Sequence, residues 1–525
     1  MKKHYFLILL VCLNLIVGLF VLPSFGESVD ELSQHMYAER TIQAVDSLIC
    51  TGTWSDYFIE EEPKQGSHGP AFITMVLLLR NFILPEGSIV QKLQFSHFLY
   101  FVVFQIGIGS FYFLARRWMS DASAFGATLL FNTQPLLIGH AFMNPKDVVF
   151  MSLLITSAML GLWMVDRSDK VTIPAHGNSI GSIIRKFFKR SLSFDVWLAG
   201  FVLGFASAIR LIAPLIGIVI LVYILVSKKW YVWPRFMAYG LIAFGFMVIL
   251  WPYLWPDPFE RLIASVSYSV TYPGTHLTLF RGVLYDANEI PPSYLPVLLA
   301  IQLTEPVLLL MIVGAISFYK KFRCDLVGLT LVWFVLPVAT MILMRVNLYN
   351  NYRQVFFLLP PLFLIAGFGL NWIFSRLQRR SIRFVIMCVL LLPGLYAIIA
   401  LHPYQYIYYN QLVGGVSGAF REFELDYWNL AFMEAQTYIN RVADQDANVF
   451  VSDSKPTAQT FARPDLVFNA FGLRMKNIDK YDYIIVSTAK NVDMKFANYP
   501  TVFMVERDGV PLAYVKMVYI GEDQE

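Results

Sequence analysis

The chain has 525 residues, 57% of them hydrophobic and only 15% charged, with a formal net charge of +4. A soluble protein of this length carries roughly a quarter charged residues, so the composition excludes an ordinary soluble domain and implies a chain that crosses a membrane many times. The small, scattered positive charge is no footprint for nucleic acid, and four dispersed cysteines without a CxxC pair suggest neither a disulfide framework nor a metal-ligand spacing.

The N-terminal stretch MKKHYFLILLVCLNLIVGLFVLPSFGES is apolar from Tyr5 to Val21, and no A-x-A site precedes Glu27. A retained first helix is therefore expected rather than a cleaved signal peptide. A span needs about 20 mostly apolar residues. On that rule spans are expected near 4–24, 94–115, 122–142, 148–166, 195–210, 211–227, 236–253, 296–318, 326–345, 355–374 and 383–401, about 11 in all. Arg116–Arg117, Arg185–Lys186, Lys228–Lys229, Lys320–Lys321 and Arg379–Arg380 then share one side of the membrane. Lys and Arg collect on the cytoplasmic side, which places the N-terminus inside and the tail outside.

The stretch GPAFITMVLLLRNFIL (Gly69–Leu84) is short for a span and interrupted by Arg80, so it is expected to lie at the outer interface or re-enter. From His402 the pattern changes. ANVFVSD, YDYIIVST, PTVFMVERDG and VPLAYVKMVYI read as short strands. DYWNLAFMEAQTYINRVAD reads as an amphipathic helix with Trp428, Phe432, Ala435, Ile439 and Val442 near one face. The expected fold is a polytopic α-helical membrane protein over 1–401, with an external loop over 25–93, followed by a small external α/β domain over 402–525. Its expected place is the plasma (inner) membrane.

Ionisable residues at the external ends of spans are the candidates for chemistry. Asp30 and Glu31 follow the first span directly, although such a pair also suits a helix first turn. Glu60–Glu62 read as a solvated loop, and His68 before Gly-Pro as a turn residue, unless they join a site. In HAFMNPKDVVFMSLL, Lys146 and Asp147 sit between two apolar runs; Asp147 also suits a helix cap, and Lys146 a snorkelling role. Arg210 breaks the run AGFVLGFASAIRLIAPLIGIVIL, and Tyr352 and Arg353 precede the tenth span. An ionisable residue within such a run is a functional candidate by default, and Arg pairs with two phosphate oxygens at once. Together these outline an external site with acids from two early loops and cations from two later ones.

SVDELSQHMYAERTI resembles the first-loop acidic motif of the GT-C glycosyltransferases, particularly the family 39 type that includes protein O-mannosyltransferases and the lipid A aminoarabinose transferase. SHGPAFITMVLLLRNF is similar to their juxtamembrane segment, HAFMNPKDVVFMSLL to their second acidic motif, and NLYNNYRQVFFLLPPL to their late Tyr/Arg loop. ASAIRLIAP and LHPYQYIYYNQLVGGVSGAFREFELDYWN resemble further segments of the family. The resemblance implies a GT-C-like fold, a polyprenyl-phosphate sugar donor, and a lipid, glycan or protein acceptor at the external face. It implies Asp30 as the base with Glu31 beside it, and Asp147 orienting the acceptor, sharing the base role or holding a cation. Arg210, Arg353 and Lys146 would meet the leaving phosphate, with His68 and Tyr352 as further binding residues. No cofactor is implied with certainty and a divalent metal stays open; the first loop carries no DxD, and the tail does not resemble a β-trefoil. A multi-pass transporter or an envelope scaffold is the alternative, although no internal repeat is present.

Overall fold

A computed structural model describes residues 4–59, 68–168, 192–270, 276–320, 324–344, 346–468 and 480–518. Its helices begin with α1 (Tyr5–Val21), α2 (Val29–Thr51), α3 (Ala71–Ile83), α4 (Ile89–Ala115), α5 (Asp121–Asn132), α6 (Pro135–Met143) and α7 (Asp147–Asp166). They continue with α8 (Phe194–Ser207), α9 (Leu215–Val226), α10 (Trp233–Leu250), α11 (Tyr294–Gln302) and α12 (Glu305–Lys320). A helical run from Cys324 to Met344, π-helical over Leu331–Val335, precedes α13 (Leu359–Arg376) and α14 (Arg380–Ala400).

Among the described residues, seven helical segments are long and apolar enough to cross a bilayer, and the bent pair α11–α12 makes an eighth. Every expected span has a helix in its place. Four of the expected spans fall short of a full crossing or are broken, 296–318 by a bend described below. The two around Arg210 appear as the shorter apolar helices α8 and α9, and 122–142 divides into α5 and α6 at Thr133–Gln134. Pro135 explains the latter break: it supplies no amide hydrogen and fits the first helical position, so a new helix starts there. α3 is 13 residues long, about 20 Å at 1.5 Å per residue, and packs against α2 and α4.

The helices sort by what surrounds them. α1 turns Phe6 (68% exposed) and Phe20 (81% exposed) outward, an apolar surface that only lipid makes favourable. α7 is buried nearly all round and forms the centre of the bundle, against α4, α8 and α9.

The sharpest departure from a straight span is the 111° bend between α11 and α12. Backbone groups released at a bend in an apolar setting need partners. Gln134 donates to the Gln302 carbonyl (2.7 Å) and accepts from the Thr304 amide (3.3 Å). Asn410 donates to the carbonyls of Ala300 (2.8 Å) and Leu303 (2.7 Å). Two amide side chains thus take over what the broken helix gave up.

The tail is a small α/β unit. A five-stranded sheet has the order β4 (Val467–Phe468), β3 (Asn448–Val451), β5 (Tyr483–Ser487), β7 (Val510–Met517), β6 (Thr501–Arg507). β3 runs parallel to β4 and β5, and β7 antiparallel to β5 and β6. A separate hairpin pairs β1 (Leu277–Phe280) with β2 (Val283–Asp286), and its Phe280 is buried in the core shared with the bundle. The four expected strands are all present. The expected helix is shorter: α15 covers Phe432–Val442, burying Phe432, Ala435 and Ile439 against the sheet, whereas Val442 is exposed and Trp428 lies in the turn ahead of it.

The stretch between α14 and α15 is not a linker. Tyr404, Tyr406, Tyr409 and Trp428 are buried in one continuous core with the helices of the bundle. α6 approaches this stretch so closely that a Cβ at Gly139 would collide with the Tyr406 backbone, which is why glycine stands there. The tail also grips the first loop, where Thr460 hydrogen-bonds Glu27, and Arg507 donates to the His402 carbonyl (2.7 Å) at the start of the tail.

Candidate functional site

The site forms where α2, α7, the α8–α9 turn and the start of α13 meet at one end of the bundle. Each contributes ionisable side chains, and local sequence explains how they are held. At α2, Ser28 donates its amide to Glu31 Oε2 (2.8 Å), and its hydroxyl donates to the Met143 carbonyl (3.0 Å). Glu31 Oε1 also meets His97 Nε2 at 2.9 Å, with both side chains fully buried. This reciprocal cap fixes the first turn of α2. It consumes Glu31 and leaves Asp30 facing the site.

At α7, the Asn144 side chain accepts from the amides of Lys146 (3.0 Å) and Asp147 (2.7 Å), a turn that Asn-Pro chemistry favours. Its Nδ2 lies 3.1 Å from Asp147 Oδ2 and 3.0 Å from His140 Nδ1, and His140 Nε2 lies 2.8 Å from the Tyr427 hydroxyl. Asp147 is thereby tied to the tail through three side chains. At the α8–α9 turn, Ala208 receives the loop bearing His68. A Cβ at Gly69 would strike the Ala208 carbonyl, and that carbonyl accepts from the Ala71 amide (3.2 Å). Arg210 follows two residues later.

Arg353 joins these parts. Its Nη1 lies 3.0 Å from Asp30 Oδ2 and 3.0 Å from Asp147 Oδ2. Asp147 Oδ1 pairs with Arg210. The Arg353 guanidinium sits over Trp428 (4.7 Å to the ring centre) and Tyr349 (5.4 Å), and Tyr349 stacks on His276 from the residues leading into β1. Arg353 is aimed by two successive left-handed residues, Asn350 (φ 51°) and Asn351 (φ 58°). Asparagine tolerates that conformation better than other side chains. The Tyr294 hydroxyl donates to the Asn351 carbonyl (3.2 Å), and the Tyr409 hydroxyl to its Oδ1 (3.1 Å).

Exposure separates the two aspartates. The Asp147 side chain is 1% exposed and that of Asp30 is 27% exposed. Burial raises the Asp30 pKa, but Arg353, Lys146 and Arg210 outweigh it and hold the carboxyl below its ordinary range. Burial, with Arg210 and Arg353 close by, lowers the Lys146 ammonium to about 7 despite the pull of Asp30. Burial also lowers His68, helped by Lys146 and Arg210, so His68 is neutral. The site thus has one reachable carboxylate, one buried carboxylate and a surplus of cationic groups that favours an anion.

Five of the eight residues expected from sequence come together: Asp30, Lys146, Asp147, Arg210 and Arg353. The other three stand around them. Glu31 caps α2; His68 meets Gln34 (3.3 Å) and accepts from the Tyr37 hydroxyl through its carbonyl; Tyr352 is fully buried against Phe356. Glu60–Glu62 lie outside the described residues. Among the described residues no three His, Cys, Asp or Glu side chains group to hold a metal. Trp428, Asn144, His140 and Tyr427 were not singled out as site residues. The Asn-Pro turn was a visible signal for Asn144; nothing local marks the others.

No protein-family model matches the chain, and no curated protein matches it in sequence. Among solved structures it is similar to the archaeal oligosaccharyltransferase AglB from Archaeoglobus fulgidus in complex with an inhibitory peptide and a dolichol-phosphate. That match has a TM-score of 0.47 and 11% identity, over 94% of this chain and 70% of that one. A second structure, the Archaeoglobus fulgidus oligosaccharyltransferase tethered to an acceptor peptide, matches at a TM-score of 0.46 and 11% identity, over 92% of this chain and 69% of that one. The fold itself is that of a multi-pass helical membrane protein with a small α/β tail.

Proposed function

We propose that the chain is a GT-C-type glycosyltransferase that moves a sugar from a polyprenyl-phosphate donor to an acceptor hydroxyl at the external face of the membrane. The observation that carries this reading is the reachable Asp30 carboxylate, set beside three cations, at the end of a lipid-facing bundle. A phosphate bound at Arg210, Lys146 and Arg353 would neutralise the charges that depress Asp30. Its pKa would then rise, making it a better base once the donor is in place. The acceptor O–H gives its proton to Asp30 as its oxygen attacks the anomeric carbon. The anomeric C–O bond to phosphate breaks, and the departing charge is met by guanidinium and ammonium groups. Asp147, closed off by Arg210 and Arg353, sets the position of both arginines rather than touching the acceptor. Asp30 and Asp147 are each paired with arginine, so no step here is routed through a metal.

The family 39 type, as in the resemblance above, is the finer form of this proposal. A transporter would use ionisable groups near the bilayer midplane; Asp147 is instead the first residue of its helix. The test is release of polyprenyl phosphate in liposomes from a panel of polyprenyl-phosphate sugars. Asp30→Asn is expected to lose roughly 10²–10⁴-fold in rate, the usual contribution of a general base, while remaining folded. Wild-type turnover that survives intact in Asp30→Asn would refute the base assignment, and a folded wild type that binds no donor would refute the transferase.

A further inference from the structure

A cavity of about 280 Å³ lies away from the Asp30–Asp147 cluster, where the end of α14 meets α12 and the tail. Its lining combines two chemistries. One wall is α14, with Leu392 and Tyr396 60% and 66% exposed on the side that faces lipid. The lining also includes Glu305, at the α11–α12 bend, and Asp508, in the turn between β6 and β7. Glu305 Oε1 already accepts from the Gln411 amide (2.7 Å), so its position is fixed. Tyr408 is 95% buried, lines the same space, and its hydroxyl makes no hydrogen bond among the described residues. Among the described residues, no cationic side chain lines the cavity.

We infer that this cavity holds one phospholipid with a primary-ammonium headgroup, its ammonium at Glu305 and Asp508 and an acyl chain along α14. The argument is charge and donor complementarity. An ammonium offers three N–H donors, and two carboxylates and a tyrosine oxygen are set to accept them. A quaternary ammonium offers none, and an anionic headgroup would be repelled. The apolar wall lies at the surface of the bundle, so an acyl chain enters from the bilayer without crossing polar ground.

The site also reaches the first one. Tyr409 lines the cavity, and its hydroxyl holds Asn351, two residues before Arg353. A lipid seated here packs against a residue that aims the arginine of the reacting site.

The test is lipid retention, which does not depend on catalysis. Full-length protein is taken from vesicles containing equal parts of phosphatidylethanolamine, phosphatidylcholine and phosphatidylglycerol with matched chains. Bound lipid is then counted by native mass spectrometry. Phosphatidylethanolamine is expected to be retained about tenfold over each of the others, the worth of one charge-assisted hydrogen bond. Glu305→Gln with Asp508→Asn is expected to abolish the preference, because Gln keeps the contact to Gln411 while losing the charge. Equal retention of the three lipids by wild type would overturn the inference, even if the double variant failed to fold. So would a preference for phosphatidylcholine, which would point to the tyrosine rings alone. Unchanged retention in a folded double variant would also overturn it.

Discussion

One guanidinium nitrogen, Nη1 of Arg353, serves two carboxylates that stand 117 positions apart in the chain, and it ranks them. Removing one partner of a buried ion pair leaves the other charge desolvated, which costs about 3–5 kcal/mol. Asp147→Asn is therefore expected to lower the thermal midpoint markedly, because it takes from Arg210 its paired carboxylate and leaves Arg353 with Asp30 alone. Asp30→Asn is expected to lower it little, because its side chain meets solvent. Thermal unfolding of the two purified variants checks this; equal destabilisation would contradict the different burial of the pair. Lys146 gives a pH signature. Its ammonium titrates near 7, lowered chiefly by burial, so it is charged below that pH and loses charge above it. Donor binding is thus expected to weaken as pH rises through about 7. In Lys146→Arg that alkaline limb is expected to vanish, since arginine keeps its proton; KM measured from pH 6 to 9 decides.

At the scale of elements, the sequence was most readable where one physical rule acts locally. Apolar length found a helix for every span, and alternation found β3, β5, β6 and β7. It failed where long-range contacts decide. The bend between α11 and α12 is invisible in hydropathy because its cost is met by Gln134 and Asn410, more than 100 residues away on either side. Trp428 reads as part of an amphipathic helix, but Asp426 accepts from the amides of Leu430 (2.9 Å) and Ala431 (3.1 Å), shaping the turn that frees Trp428 for Arg353. That turn and its neighbours carry a pH dependence. Burial raises Glu27, Glu424 and Asp426 to about 7 each; around Glu424 the opposing charges are Lys490 and Arg353, and around Glu27 they are His97 and Arg80. A carboxyl raised in the folded state binds protons more tightly there than in the unfolded chain. Its stabilising effect is complete below the unfolded value and is lost as pH rises to about 7. The protein is expected to melt at a higher temperature at pH 6 than at pH 8. Glu424→Gln, which stays neutral, is expected to reduce that difference; an unchanged difference would mean that Glu424 does not titrate in this range.

At the scale of the whole molecule, composition divides the chain into bundle and tail at residue 401, but the core does not divide there. The stretch after α14 contributes Tyr404, Tyr406, Tyr409 and Trp428 to the bundle core, and His140 and Arg353 rely on Tyr427 and Trp428. Ending the chain at residue 401 is therefore expected to yield an aggregating, inactive product. Ending it within the sheet, after the Trp428 turn, is expected to spare more of the bundle. Size-exclusion profiles of the two truncations test this, and a monodisperse 1–401 product would show that the bundle closes on its own.

The span between the partners of Arg353 also has a consequence in time. Asp147 and Arg353 are 206 residues apart. At a synthesis rate of about 5–20 residues per second, that separation takes roughly 10–40 s to make. During that interval both aspartates have left the ribosome without the arginine that will join them. The newborn chain must therefore keep these two carboxylates in contact with water, and the site can shut only after the arginine emerges and the tail arrives to lay Trp428 over it.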